Sequence, residues 1–171
     1  MKKLVAFGVV LVFAGILVYF FSTKNSDENL PGNDNDSEQV FDATEPSLDY
    51  STTLVDVTDG ESIRGVTTSG SASGEAIAGL DSGRYSLVAS FSGLPDPDDS
   101  DFYEGWVMRQ EPPSIVSTGR VEKNGDQFFN IFSSDENLLD HSLYVLTLET
   151  DDNDPSPNDY ILEGKFVNLY K

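Results

Sequence analysis

The chain has 171 residues and a net charge of −20 at pH 7, from 30 acidic and ten basic side chains. A surface this acidic repels phosphate backbones, which excludes nucleic acid as an expected partner. The chain has no cysteine and one histidine, so it forms no disulfide and lacks the ligands from which zinc sites are built.

The N-terminus predicts a transmembrane anchor. Lys2 and Lys3 precede eighteen uncharged residues, 4–21, and a helix of that length is about 27 Å long, close to the hydrocarbon thickness of a bilayer. The lysines orient the N-terminus toward the cytoplasm. A cleaved signal peptide is the alternative, but the segment is long for one and ends in bulky residues without an Ala-x-Ala site. We therefore predict a single pass through the plasma membrane and an extracytoplasmic remainder.

Residues 22–49 predict an acidic, disordered linker. They carry eight acidic side chains and one lysine, with few apolar residues. Such a segment buries too little surface to offset the entropy of ordering, and its like charges extend it. The predicted organisation is a signal-anchor at 1–21, the linker at 22–49 and one extracytoplasmic β-sandwich domain at 50–171.

Residues 50–171 predict an all-β fold. Short alternating segments are separated by Gly, Pro and Asp clusters, and helical periodicity is nearly absent. Asn124-Gly125 between apolar segments is a typical hairpin signal, and residues 69–74 are expected to form a Gly/Ser loop. Seven or eight strands at this spacing favour an antiparallel β-sandwich or barrel. The predicted strands are 53–57, 63–67, 85–91, 102–109, 115–121, 127–132, 143–148 and 160–170.

The sequence offers no catalytic set, and we expect no enzyme. A Ser-His-acid triad needs a histidine, and His141, next to Asp140, is interpreted as part of a surface turn. Residues 70–74 resemble the G-x-S-x-G nucleophile elbow, but Ala72 stands at the position of the serine. A glycosidase-type pair of carboxylates stays open, because every acidic β domain offers such pairs.

Two acidic loops stand out as candidate binding sites. The first lies in residues 94–101 and the second in 151–159, before the last predicted strand. Calcium takes roughly six to eight oxygen ligands, so both loops suit it chemically, although neither matches the EF-hand pattern. The alternative is a solvated acidic surface that attracts a basic partner. The candidate calcium ligands are Asp96, Asp98, Asp99, Asp101, Asp151, Asp152 and Asp154.

Residues 102–108 form the densest aromatic cluster. Alternation along a strand places Trp106 and Met108 on one face, and Tyr103 and Val107 on the other. We interpret Trp106 as a core anchor. Glu104 falls on the same face as Trp106, where a buried carboxylate needs a partner or an exit to solvent.

Six short motifs follow one another between residues 84 and 166. They are Leu94-Pro95, Tyr103-Glu104-Gly105-Trp106, residues 117–121 around Gly119, residues 146–149 ending in Glu149, Pro155-Ser156-Pro157 and residues 161–164 ending in Gly164. In this order they resemble the C-terminal, extracytoplasmic domain of the anti-sigma-K factor family.

The resemblance implies a β-rich outer domain on a membrane anchor. Members of that family carry a cytoplasmic module that holds a sigma factor, whereas only residues 1–3 precede the predicted anchor here. We therefore expect a non-catalytic interaction or sensory module with a protein partner at the outer face and no cofactor. A calcium-stabilised surface domain and a carboxylate-dependent glycan hydrolase are the alternatives.

Overall fold

The computed structural model describes residues 47–98, 100–152 and 154–171. All secondary structure in these residues is β, which confirms the all-β expectation, whereas the predicted anchor and nearly all of the predicted linker lie outside them. Within the described residues no helix is long and apolar enough to span a membrane. The strands are β1 (Ser47–Asp56), β2 (Ser62–Ile63), β3 (Val66–Thr67), β4 (Ser73–Asp81), β5 (Arg84–Ser92), β6 (Asp101–Arg109), β7 (Ser114–Arg120), β8 (Glu122–Asn124), β9 (Gln127–Ser134), β10 (Leu143–Thr150), β11 (Asp159–Lys165) and β12 (Val167–Asn168).

Ten of the strands form one antiparallel sheet that curls into a nearly closed barrel. The order is β7-β6-β10-β11-β1-β4-β5-β9-β8, and β12 pairs with β1. β7 and β8 are two halves of one bent segment on either side of Val121, so the two edges of the sheet meet. The Val121 amide donates to Tyr103 O of β6 at 2.8 Å. The next three residues, β8, pair with β9 on the other edge of the sheet. Within the described residues the barrel is therefore nearly closed: β7 has one paired neighbour, β6, and no backbone ladder joins β7 to β9 across the seam.

The connections divide the barrel into two ends. Residues 57–72, 93–100 and 151–158 join strands at one end, which we call the acidic end. At the other end, which we call the opposite end, residues 82–83, 110–113 and 135–142 join strands. Ser47 pairs with Leu80 at the opposite end, so the chain that precedes the barrel joins it there.

Large and small side chains alternate inside the barrel. Along β5, Tyr85, Leu87, Ala89 and Phe91 are buried in the main core, which confirms the alternation predicted for this strand. On β4, the small residues Ala76 and Ala78 pair with Ala89 and Leu87. They leave room for the rings that fill the rest of the interior, such as Phe91 and Tyr144, whose centroids are 6.2 Å apart.

The side chain of Asn130, on β9, connects β9 to β7 where these two strands lie side by side at the seam of the barrel. It donates to the backbone oxygens of Thr118 and Gly119 at 3.0 and 3.2 Å. Its own oxygen accepts from Thr118 Oγ1 at 2.7 Å and from Tyr144 OH at 3.1 Å. Buried polar groups are stable only when paired, and this amide is fully engaged. An amide therefore replaces backbone pairing at the closing seam.

Three glycines of the predicted motif meet local requirements of this frame, two of them close packing and one a positive φ. A Cβ added to Gly105 would lie 2.8 Å from Asn130 Oδ1, and one added to Gly164 would lie 2.5 Å from Thr53 O of the neighbouring β1. Gly119 has a φ of +89°, and the β6–β7 register shifts there. The motif glycines thus permit close packing and a bulge.

Several segments differ from the sequence prediction. Residues 47–49, predicted in the linker, belong to β1, the predicted strand 160–170 is divided into β11 and β12, and β8 was not predicted. Strand β4 was not predicted, because its glycine, alanine and serine residues are typical of a loop. Residues 63–67 were predicted as one strand but form the short β2–β3 hairpin, which turns at Arg64 and Gly65. Both turn residues have positive φ values, 46° and 86°, a conformation that ends a strand.

Candidate functional site: the acidic end of the barrel

Tyr103 ties the first acidic loop to the barrel. Its ring is buried in the core, 5.6 Å from the Phe128 ring, and its hydroxyl donates to Pro95 O at 3.0 Å. Burial and the nearby Asp96 carboxylate raise the pKa of Tyr103 above its ordinary value. The loop ends in a turn in which the Asp101 amide donates to Asp98 O at 2.8 Å. Tyr103 therefore fixes the loop as a neutral hydrogen-bond donor.

Glu149 anchors the second acidic loop. It lies in β10 and is 3% exposed, and its carboxylate accepts from Asn158 N at 2.8 Å and from Asn158 Nδ2 at 2.9 Å. Thr147 Oγ1 also donates to this carboxylate and in turn accepts from Trp106 Nε1 at 2.8 Å. A continuous chain of hydrogen bonds thus joins Trp106 to the base of the loop.

Within the second loop, two acidic side chains cap the backbone that follows them. Asp152 accepts from the Asp154 amide at 2.9 Å, and Asp154 accepts from the Ser156 amide at 3.0 Å. The bond from the Asp154 amide, with that from the Thr150 hydroxyl, lowers the pKa of Asp152. The Asx-type turn at Asp152 thus holds its carboxylate ionised at the surface.

Arg64 joins the two loops. Its Nε lies 3.2 Å from Asp159 Oδ2 and 3.9 Å from Asp101 Oδ2, and its Nη2 donates to Leu148 O at the end of β10. The side chain of Asp101 is 7% exposed. Arg64 sits in the turn of the β2–β3 hairpin, and the adjoining Gly65 lies against Asp98. The Arg64 guanidinium thus connects the β2–β3 hairpin with the first and the second acidic loop.

The segment that carries Arg64 is held by two facing turns of the same sequence pattern. Residues 58–60 and 68–70 both read Thr-x-Gly, and the amide of each glycine donates to the hydroxyl of its own threonine at 3.3 Å. The two hydroxyls, of Thr58 and Thr68, are 3.0 Å apart. The left-handed conformation at Gly60 and Gly70 is one that glycine adopts without strain.

Asp56, at the end of β1, closes this arrangement. Its carboxylate accepts from Thr58 N at 2.9 Å, from Thr58 Oγ1 at 2.6 Å and from Ala72 N at 3.1 Å. Burial disfavours the ionised form, but the hydrogen bonds from Thr58, Thr68 and Ala72 outweigh it and lower the pKa of Asp56. The ionised carboxylate therefore clamps both ends of the segment 56–72.

The structure brings the two predicted loops together but does not gather their carboxylates around one point. In residues 47–98, 100–152 and 154–171, no group of three or more His, Cys, Asp or Glu side chains could hold a metal ion. Asp96 pairs with Lys123, Asp98 lies by Gly65, and Asp99 lies outside the described residues. The calcium assignment stays a prediction.

Sequence reasoning missed Arg64, and it placed Asp159 in the second acidic loop without identifying its ion pair. The sequence offered one signal, because Arg64 is the one basic residue between positions 25 and 83. It is followed by glycine, a pair typical of a turn. Its partners come from β6 and β11, which no local pattern relates to residue 64. The contact belongs to the tertiary fold.

The remaining predicted residues lie at the base of this surface or beside it. Trp106 is buried, at 4% exposed, but it packs with Met108 and Val145 on the outer face of the sheet, apart from the main core. Glu104 lies on the same face, as predicted, and accepts from Ser117 Oγ. His141 was predicted in a surface turn, but it is 4% exposed, and hydrogen bonds to both ring nitrogens satisfy the buried imidazole.

No protein-family profile, curated protein or solved structure matches the chain.

Proposed function

We propose that the chain is a membrane-tethered interaction or sensory module whose contact surface is the acidic end of the barrel. The observation that carries the proposal is the ion pairing of Arg64 with Asp101 and Asp159, since it joins two loops 50 residues apart into one surface. In this proposal residues 1–21 anchor the chain in the plasma membrane and the barrel is extracytoplasmic. The module binds a protein partner and carries out no reaction at this end.

The chemistry of the acidic end favours a cationic partner. The two loops present seven described aspartates. Two cations, Arg64 and Lys123, form ion pairs with members of this set. The loop aspartates are Asp96, Asp98, Asp101, Asp151, Asp152, Asp154 and Asp159. An excess of one sign steers an oppositely charged surface into contact and repels nucleic acid and anionic headgroups. A lysine- or arginine-rich protein segment is the complementary partner.

The position of the surface suits a tethered receptor. The chain enters the barrel at the opposite end, through Ser47, so the acidic end is the one remote from the point of attachment. We further propose a relation to the outer domain of anti-sigma-K factors. Its support is that Tyr103, Glu149 and Pro155-Ser156-Pro157, which belong to the motif, secure or form the two loops. No sigma-factor binding is assigned to this chain.

Site-specific photo-crosslinking in native membranes tests the proposal. A photoreactive residue replaces Ser100 in the first loop or Ser156 in the second, both of which are exposed. Matched controls replace Ser82, exposed in the turn at the opposite end, and Ser37 in the predicted linker. We expect a discrete protein adduct from the loop positions and none from the controls. Equal adducts from Ser82 and Ser100, or none from either loop, would contradict the proposal.

Calcium binding is tested separately. An ion that binds the native state alone raises stability by RT ln(1 + [L]/Kd), which is about 2.7 kcal/mol at 100 times Kd. The calcium alternative therefore predicts a higher melting temperature in millimolar calcium than in magnesium or EDTA. If the acidic end binds a cationic protein and no calcium, the melting temperature should be the same in calcium, magnesium and EDTA.

A further inference from the structure

A second cluster of functional groups lies at the opposite end, where the turn before β7 meets residues 135–142. His141 Nε2 lies 2.9 Å from Ser114 Oγ, and His141 Nδ1 lies 2.8 Å from Asp140 Oδ1. Nucleophilic serines are recognised by this geometry, whatever the order of the residues in the chain. We propose that Ser114 is a nucleophile activated by His141 as general base, that Asp140 positions the imidazole, and that the substrates are carboxylic esters.

The hydrogen-bond partners fix the direction of proton transfer. An ionised carboxylate only accepts, so Nδ1 of His141 carries the proton that faces Asp140. In the neutral imidazole Nε2 is then the acceptor, and the Ser114 hydroxyl is left as the donor. This is the tautomer that a general base needs in order to take a proton from serine.

Arg109 holds the acid in place. Its Nη1 donates to Asp140 Oδ2, and its Nε donates to Pro112 O at 2.9 Å, in the turn that leads into Ser114. The hydrogen bond and charge of Arg109 lower the pKa of Asp140, so this carboxylate stays ionised. One guanidinium thus connects the acid to the backbone that positions the serine.

The surroundings give the serine access to solvent while the base is shielded. His141 is 4% exposed. Ser114 is half-buried, the residues before it, 111–113, are exposed, and Ile115 after it is 53% exposed. A buried imidazole interacts more strongly with its partners than one in water.

The proposed reaction uses only ester and water. Ser114 Oγ bonds to the carbonyl carbon as its proton moves to His141 Nε2, and the ester C–O bond breaks as the alcohol leaves with that proton. A water molecule then attacks the acyl-serine, its proton passing through Nε2 to Ser114 Oγ, and the carboxylic acid is released. The proposal is independent of the acidic end.

A fluorophosphonate probe tests the nucleophile directly. The full-length chain in detergent is incubated with the probe, whose phosphorus bonds to Oγ as fluoride leaves and His141 takes the proton, and the modified residue is mapped by mass spectrometry. We expect labelling at Ser114 of the folded chain and none in Ser114→Ala. His141→Gln should slow labelling by about 100-fold or more, the usual contribution of a general base.

Ser117 provides the matched control on the same strand. Its hydroxyl donates to the Glu104 carboxylate and not to an imidazole, so Ser117→Ala should keep the full rate of labelling. Absence of labelling at Ser114 in the folded wild-type chain would overturn the proposal, as would equal labelling of the native and heat-denatured chains.

Discussion

Gly105 shows how a single residue limits the packing of this barrel. It lies on β6 beneath the Asn130 amide, and an added Cβ would also meet Thr118 Oγ1 and Tyr144 OH. These three polar atoms are hydrogen-bonded to one another, so none can move without breaking a buried pair. The absence of a side chain at position 105 is thus a condition for closing the seam.

Gly105→Ala should lower the free energy of unfolding by about 1–3 kcal/mol, the usual cost of overpacking a tight core. Urea unfolding measures the change. Ser133→Ala, at an exposed position of β9, is the control and should change stability by less than about 0.5 kcal/mol. Equal effects of the two substitutions would show that the seam is not tightly packed.

Arg64 has a different role at the same scale, because it orders loops and not the core. Arg64→Gln removes the pairs with Asp101 and Asp159. Since the side chain is 31% exposed, we expect a modest global loss of about 1 kcal/mol. Hydrogen exchange should rise selectively in residues 94–101 and 150–159.

Arg84→Gln is the matched control for Arg64→Gln. Arg84 pairs with Asp135 at 3.6 Å, but both side chains are largely exposed, at 57% and 90%. Its replacement should leave exchange in both acidic loops unchanged. If Arg64→Gln also left exchange there unchanged, the two loops would not depend on Arg64.

At the scale of the element, β6 carries two unlike faces. Tyr103 and Val107 point into the main core, while Trp106 and Met108 cover Val145 on the outside. Strand alternation predicted both faces correctly. Trp106 was predicted as a core anchor and is buried, but it packs in a separate cluster on the outer face, because its cover depends on how the indole lies over the neighbouring strand β10.

Trp106→Ala should cost about 3–5 kcal/mol, the usual range for removing a buried large aromatic side chain. It should also increase hydrogen exchange in the second loop, since Thr147 and Glu149 lose their link to the indole. Ile115→Ala, exposed on the same sheet face, is the control and should cost far less. A small loss at Trp106 would mean that the indole is free to bind a partner.

The segment 56–72 should loosen in acid. The pKa of Asp56 is below its ordinary value of 3.8, so its carboxylate contributes stability above that pH. That contribution is lost as pH falls through the lower, native pKa. Exchange in 56–72 should therefore rise below about pH 4, and Asp56→Asn should show raised exchange at neutral pH with a weaker dependence on acid. An unchanged acid response in Asp56→Asn would contradict this assignment.

For the whole molecule, the sequence predicted the class of fold, seven of its strands in outline and the two loops. Asn124-Gly125 predicted a hairpin turn that forms, because its conformation is encoded locally. The turn joins β9 to the short strand β8, whereas the predicted partner strand 115–121 pairs with β6. The β4 strand was missed, since Ala76 and Ala78 are small in order to fit opposite larger side chains. Closure through the bend at Val121 and the meeting of Ser114 with His141 depend on distant chain segments, which local patterns do not report.

The central claim is that the two acidic loops form one surface that binds one partner. It is tested most directly by identifying, with mass spectrometry, the adducts of photoreactive residues at Ser100 and Ser156 in native membranes. We expect the same protein at both positions, crosslinked through a lysine- or arginine-rich segment, and weaker adducts at both positions in Arg64→Gln. Different proteins at the two positions, or adducts indifferent to Arg64→Gln, would contradict it.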